Sequence, residues 1–160
     1  MISQFLIKKN AIVQGEGEVC QSFYFVESGS LRQFKDVDGF IEQTINLYLE
    51  NDFVFDQSSF TSQKPSLFNI QALEDCELIE LTVQSVHSLI TLSPTFFALG
   101  KILDANAHMN YAQLKSPEEK YLALMQNRPQ VTQRFPLKHI ASYLNMTPET
   151  LSRVRAKVKF

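Results

Sequence analysis

The chain has 160 residues, enough for one ordinary domain or two small ones. Hydrophobic residues make up 44% and charged ones 20%, with no Pro/Gly-rich or low-complexity tract, which excludes a disordered or collagen-like chain. No apolar run approaches the roughly 18–20 residues of a membrane span, and the charges of Met1 to Lys9 follow its short apolar stretch, unlike a signal peptide, so a cytoplasmic protein is expected. Cys20 and Cys76 form no CxxC pair. One disulfide is open to them, but a cytosolic chain favours two reduced, buried thiols. His87, His108 and His139 lack zinc-ligand spacing, so no metal site is expected.

The first eighty residues read as short strands broken by turns. Phe5-Leu6-Ile7 and Ala11-Ile12-Val13 come first, and Gly15-Glu16-Gly17-Glu18 is a turn. Ser22–Ser28 is an aromatic-rich strand, punctuated by Gly29 before Ser30–Lys35. Asp38-Gly39 is a hairpin signal. Ile41, Ile45 and Leu47 share one parity, the period of a half-buried strand. Glu50-Asn51-Asp52 turns, and strands are predicted at 68–72 and 76–81. Strands this short and regular predict a sandwich, jelly roll or barrel.

The period then changes. Thr82 can cap a helix running through Ile90. Ser93-Pro94 opens a longer one, on which Leu99, Ile102, Ala105, Met109 and Ala112 make an apolar stripe flanked by Leu103 and Asn106. That stripe suits packing on the β-domain or on its twin in a dimer, with Asn106 as a polar register device. Ser116-Pro117-Glu118-Glu119 is a capping box, and Tyr121, Leu122, Leu124 and Met125 fill the inner face of the helix it starts. Asn127-Arg128-Pro129 ends that helix.

The last thirty residues are the most informative. Pro136 to Leu144 predicts a short amphipathic helix with Ile140, Ala141 and Leu144 inward. The small Ala141 lets a second helix cross closely. Asn145-Met146 supplies a turn, and Asn tolerates a left-handed backbone. Thr147-Pro148-Glu149-Thr150 opens the second helix with an N-cap, an N1 proline and an early acid. Leu151 and Val154 anchor it, leaving Thr147, Glu149, Thr150, Ser152, Arg153, Arg155 and Lys157 outward at least in part. Such a helix can offer short polar groups and the Arg153 fork to base edges, while Arg155, Lys157 and Lys138 of the preceding helix hold phosphates. Glu149 either accepts from cytosine N4 or caps the helix and orients Arg153. Charge agrees: residues 131–160 carry six Lys/Arg (Arg134, Lys138, Arg153, Arg155, Lys157, Lys159) against one acid, the rest nine against sixteen.

These segments together resemble the Crp/Fnr family of bacterial transcription regulators. Gly15-Glu16-Gly17-Glu18 with Phe23 to Arg32 is similar to the opening strands of a cyclic-nucleotide-binding β-roll, and Ala72 to Leu78 to the strand pair that closes it. Ile140 to Leu144 with Thr147 to Arg153 is similar to the family's helix-turn-helix. The resemblance implies an α+β fold: a jelly-roll sensor domain (a double-stranded β-helix) over 1–92, a long dimerisation helix over 93–115, and a helix-turn-helix domain over 116–160. It places Leu99, Ile102, Leu103, Asn106 and Met109 in a homodimer interface. A dimer would set two recognition helices about 34 Å apart on a palindromic double-stranded site. RNA polymerase is a further implied partner.

The sequence departs from the family's pattern in three places. Cyclic-AMP binders carry a Gly-Glu pair and then an Arg-Ser pair in the phosphate-binding cassette. Here Phe55-Asp56 and Ser66-Leu67 stand there, and the Arg that would pair with the cyclic phosphate is missing. Cyclic AMP is therefore not the expected effector. Asp56, Gln57, Ser58, Ser59 and Ser66 either line a pocket for another small molecule or form an ordinary polar loop. The chain also stops at Phe160, where many relatives add a wing, and it has no counterpart of the family's N-terminal helix. The expected function is a dimeric, sequence-specific transcription regulator without a cofactor, its effector small and unidentified or absent. The alternative is a sensor or protein-interaction module that has lost DNA binding. No nucleophile–base–orienter set suggests an enzyme.

Overall fold

A computed structural model describes residues 2–93, 95 and 110–158. The first half carries eight antiparallel strands: β1 (Ile2–Ile7), β2 (Ile12–Gln14), β3 (Ser22–Ser28), β4 (Leu31–Val37), β5 (Ile41–Tyr48), β6 (Phe53–Val54), β7 (Asn69–Ala72) and β8 (Cys76–Thr82). They form two four-stranded sheets, ordered β1-β8-β3-β6 and β2-β7-β4-β5. The strand spacing leaves a sandwich, jelly roll or barrel open, and the two sheets form the β-roll that the resemblance implies. Tyr24, Val26, Leu31, Tyr48, Val54, Ile70, Ala72, Cys76 and Leu78 form its core. β7 shows the simple alternation, with Ile70 and Ala72 fully buried and their neighbours half-buried. Both cysteines are free thiols and buried, and burial pushes both thiol pKa values up.

Two turns show why the chain folds this way locally. Asp38 and Gly39 both have positive φ (61° and 74°), the geometry that joins β4 to β5 with the twist of its strands. Gly29, between β3 and β4, has φ 100°, and a Cβ there would sit 2.6 Å from Cys76 Sγ. No other residue fits that crossing.

The parity expected of β5 does not hold. Gln33 pairs with Asn46 but Phe34 with Thr44, so Ile45 is an extra residue in β5. The irregularity exchanges the faces: Ile41 is 64% exposed, whereas Leu47 is fully buried. β4 is also buried on both sides, because Leu31 packs in the roll while Arg32 lies against a helix of the C-terminal half.

The helices follow a similar logic. α1 (Gln57–Ser62) lies within the roll, where the sequence left a pocket lining or a polar loop open and no helix was expected. α2 (Val83–Leu92) starts at the expected cap, Thr82, whose side chain accepts from Ser85 N at 3.1 Å. The expected stripe of Leu99, Ile102, Leu103, Asn106 and Met109 lies outside the described residues. A short 3₁₀ turn at Tyr111–Gln113 leads to α3 (Pro117–Asn127), where Ser116 and Glu119 make the full capping box. α4 (Pro129–Arg134), α5 (Leu137–Tyr143) and α6 (Pro148–Lys157) complete the C-terminal unit. α4 was not expected: Pro129 ends one helix and serves as N1 of the next.

A second core unites these helices: Tyr111, Tyr121, Leu124, Val131, Phe135, Ile140, Ala141, Leu144, Leu151 and Val154. Leu47 and Leu49, from β5 and the residue after it, belong to this cluster rather than to the roll's. Among the described residues, no helix is long and apolar enough to cross a membrane.

Candidate nucleic-acid interface

The helix-turn-helix is built from its turn outward. Ile140, Ala141 and Leu144 are buried, as their spacing predicts. α5 ends in a Schellman arrangement. Met146 N–H donates to the Ala141 carbonyl (2.9 Å) and Asn145 N–H to that of Ser142 (3.0 Å), while Asn145 takes the left-handed φ of 53°. Asn stands where Gly is commoner because its polar side chain tolerates this region. Lys120 Nζ donates to the Leu144 carbonyl at 3.2 Å, completing the end of α5.

α6 begins three residues beyond Asn145. Thr147 Oγ1 accepts from Thr150 N–H (3.2 Å), and Pro148 occupies the first helical position. Leu151 and Val154 point into the core. Thr147, Glu149, Ser152, Arg153, Arg155 and Lys157 are exposed and Thr150 is half-buried. These residues share the outer side of one helix. Arg153 Nη2 lies 3.4 Å from Thr150 Oγ1, and Lys157 Nζ lies 3.3 Å from Glu118 Oε1 of α3. Both contacts are at the surface and cost little to exchange for a phosphate or base edge. Lys138, in the first turn of α5, is exposed beside the β4–β5 hairpin and lines a cleft with Asp36, Phe40 and His139.

Arg134 belongs elsewhere. Its guanidinium pairs with Glu74 (2.6 Å) and Glu50 (3.3 Å) of the roll. Part of the charge division seen in the sequence therefore holds the two halves together. Arg128 acts alike, donating to the Leu47 carbonyl (2.7 Å) and to Asp52 (2.5 Å). Arg32, only 5% exposed, pairs with Glu42 (2.5 Å), donates to Gln71, stacks on Phe34 and approaches His139 Nδ1 at 3.4 Å. A guanidinium only donates, so Nδ1 of a neutral imidazole faces it. Burial, then Arg32 and Lys138, lower the His139 pKa to about 4. These junction residues carry no sequence motif. An isolated Arg in a strand or before a proline gives no hint of its partner a hundred residues away.

The cassette is organised inward. Asp56 is 4% exposed, Ser59 2% and Ser66 2%, whereas Gln57 and Ser58 are exposed. Asp56 Oδ1 caps α1 by accepting from Ser59 N–H (3.2 Å), and Oδ2 accepts from Ser66 Oγ (2.7 Å). Ser59 Oγ accepts from Cys20 N–H (2.9 Å) and donates to the Lys64 carbonyl. The three buried residues thus hold one another and the surrounding main chain.

The cyclic nucleotide-binding domain family matches residues 5–92, more than half of the chain. No curated protein matches by sequence. Among solved structures, FixK2 from Bradyrhizobium japonicum superposes with a TM-score of 0.78 at 18% identity, covering 99% of this chain and 84% of that one. The catabolite activator protein of Thermus thermophilus gives 0.58 at 22% identity, covering 98% and 78%. A protein described as a transcriptional regulator of the Crp/Fnr family from Eubacterium rectale gives 0.68 at 17% identity, covering 98% and 77%. The chain belongs to the cyclic nucleotide-binding domain family, and its fold, roll and helices together, is that of the Crp/Fnr regulators.

Proposed function

We propose that this protein is a dimeric, cytoplasmic transcription regulator that reads double-stranded DNA with α6 and does not respond to cyclic AMP. One observation carries the reading. The Schellman end of α5 and the Thr147 cap present Glu149, Ser152, Arg153, Arg155 and Lys157 on the exposed side of a helix whose other side is in the core. The fold of Crp/Fnr regulators supports it. In this reading residues 1–92 are the sensor, 93–115 the dimer helix and 116–160 the reader. The apolar spacing of Leu99, Ile102, Leu103 and Met109, with Asn106, supports a two-fold contact. Arg153 is the base-reading fork, and Lys138, Arg155 and Lys157 hold phosphates. Thr147, Thr150 and Ser152 offer hydroxyls, and RNA polymerase is a partner on the promoter.

The silence towards cyclic AMP rests on the cassette. Both oxygens of the Asp56 carboxylate are engaged inside the fold, and Ser66 stands where the family's phosphate-binding Arg would be. An effector of different chemistry would meet the exposed Gln57 and Ser58 first.

Selection of sites from a random duplex library tests this, followed by titration of the winners at two salt concentrations with and without cyclic AMP. A palindromic winner is expected, bound in a salt-dependent way and unchanged by cyclic AMP. Failure to enrich any sequence, alone or with cell extract, would favour a module that keeps the fold without DNA. Arg153→Ala is expected to cost roughly 1–3 kcal/mol in affinity and to relax one base pair of each half-site. Undiminished selectivity would remove it from the reading set.

A further inference from the structure

β5 lies at the edge of its sheet, so half of its main-chain groups have no partner strand. The C-terminal helices reach three of them. Thr44 N–H donates to Ser142 Oγ of α5 at 2.8 Å, and that hydroxyl also lies 3.4 Å from the Glu42 carbonyl. Three residues on, the Leu47 carbonyl accepts from Arg128 Nη1 at 2.7 Å. Glu42 and Thr44 share one parity and Leu47 has the other. The extra residue at Ile45 makes this possible, since it turns the outward groups of the strand from even to odd positions. The same edge continues into the next turn, where Asp52 takes the other arm of Arg128 and Glu50 takes Arg134. Leu47 and Leu49 enter the helical core between these points. Polar contacts thus follow one another along β5 and its turn, with apolar anchors among them.

The geometry points to Arg128 and Ser142 as positioning residues for DNA reading: they clamp the helical reader to the edge of β5. The separation and tilt of the two recognition helices in a dimer are then set by the roll, not by the linker alone. The inference rests on the DNA-reading function proposed above. Arg128 suits the task because two nitrogens of its planar fork donate separately, Nη1 to a carbonyl and Nη2 to a carboxylate, whereas a lysine offers one nitrogen on a flexible stem. Its side chain is 16% exposed and that of Asp52 21%, so the pair is largely shielded from salt.

The test is the double variant Arg128→Lys/Ser142→Ala, which keeps the positive charge beside Asp52 and leaves the buried leucines intact. A cooperative melt checks that it folds, and Arg128→Lys alone serves if it does not. Amide hydrogen exchange at Thr44 reads the clamp directly and is expected to rise about fivefold to tenfold on loss of the Ser142 acceptor or, for Arg128→Lys alone, through opening of the junction. Binding is then selected from palindromes with a fixed half-site and a variable spacer. Wild-type protein is expected to prefer one spacer length. The variant should keep the half-site sequence but accept longer and shorter spacers. Unchanged Thr44 exchange would show that no clamp exists. Raised exchange with an unchanged spacer preference would show a clamp that does not position the reader. Failure of the wild-type protein to bind any duplex would overturn DNA reading and the positioning role with it, whatever the exchange shows.

Discussion

The cassette of the roll and the proposed reader at the C-terminus begin alike and end oppositely. Each places an oxygen-bearing cap before a short helix: Asp56 before α1 and Thr147 before α6. In the cassette the polar groups then turn inward, and Asp56, Ser59 and Ser66 are nearly inaccessible. In the reader they turn outward, and only Leu151 and Val154 are buried. A polar residue is available to a ligand only when the fold has not already used it. By that measure the reader is open and the cassette is largely spent on its own stability.

The largest effect should come from the apolar side of the reader. Leu151 is fully buried in a cluster that includes Leu47 and Leu49 of the roll. Leu151→Ala should cost about 2–5 kcal/mol in urea unfolding, by lost burial and the cavity left behind. It should also loosen the junction with the roll. A loss under half that range would mean that the reader core collapses around the gap.

His139 gives the next effect, through pH. It faces Arg32 of β4, Glu42 of β5 and its own neighbour Lys138, and its folded pKa falls to about 4. The unfolded chain takes up a proton on His139 below about pH 6.5, the folded protein only near pH 4. Stability is therefore full above pH 6.5 and falls as pH drops through that window, by up to about 3 kcal/mol. Urea midpoints at pH 7 and pH 5 should show this fall, and His139→Gln should lose its share of it. An equal fall in the variant would assign the whole effect to the carboxylates.

The two caps give the sharpest contrast. Asp56→Ala leaves the Ser59 N–H without its acceptor and the Ser66 hydroxyl with the Phe68 main chain alone, at about 1–3 kcal/mol. Thr147→Ala exposes its orphan donor to water and should cost about 1 kcal/mol. Parallel urea titrations should rank them in that order. The reverse ranking would show that the Asp56 carboxylate is not committed, reopening the cassette as a ligand site.

Much of this was legible before any coordinates. The capping residues Thr82, Ser116 and Thr147, the buried faces of α5 and α6 and the hairpin at Asp38-Gly39 stand where the sequence places them. Each is a local device whose chemistry acts within one helical turn or one hairpin. The inward turn of the cassette was not legible. Asp56, Gln57, Ser58, Ser59 and Ser66 read as one polar run. Only the packing of α1 against the roll divides it into two exposed residues and three internal ones.

By itself the sequence determined the local elements and the polar outer side of α6, because periodicity, caps and turn residues act at short range. The missing cassette Arg is what the resemblance implies, with Ser66 at that position. Only the tertiary structure decided that Ile45 is an extra residue, that Leu47 and Leu49 belong to the helical core, and that Arg128, Arg134 and Ser142 fasten that core to a strand edge. The hydrogen bonds of this junction join groups 81 and 98 positions apart in the chain, Arg128 with Leu47 and Ser142 with Thr44. Nothing in the residues adjacent to them encodes which distant group they will meet.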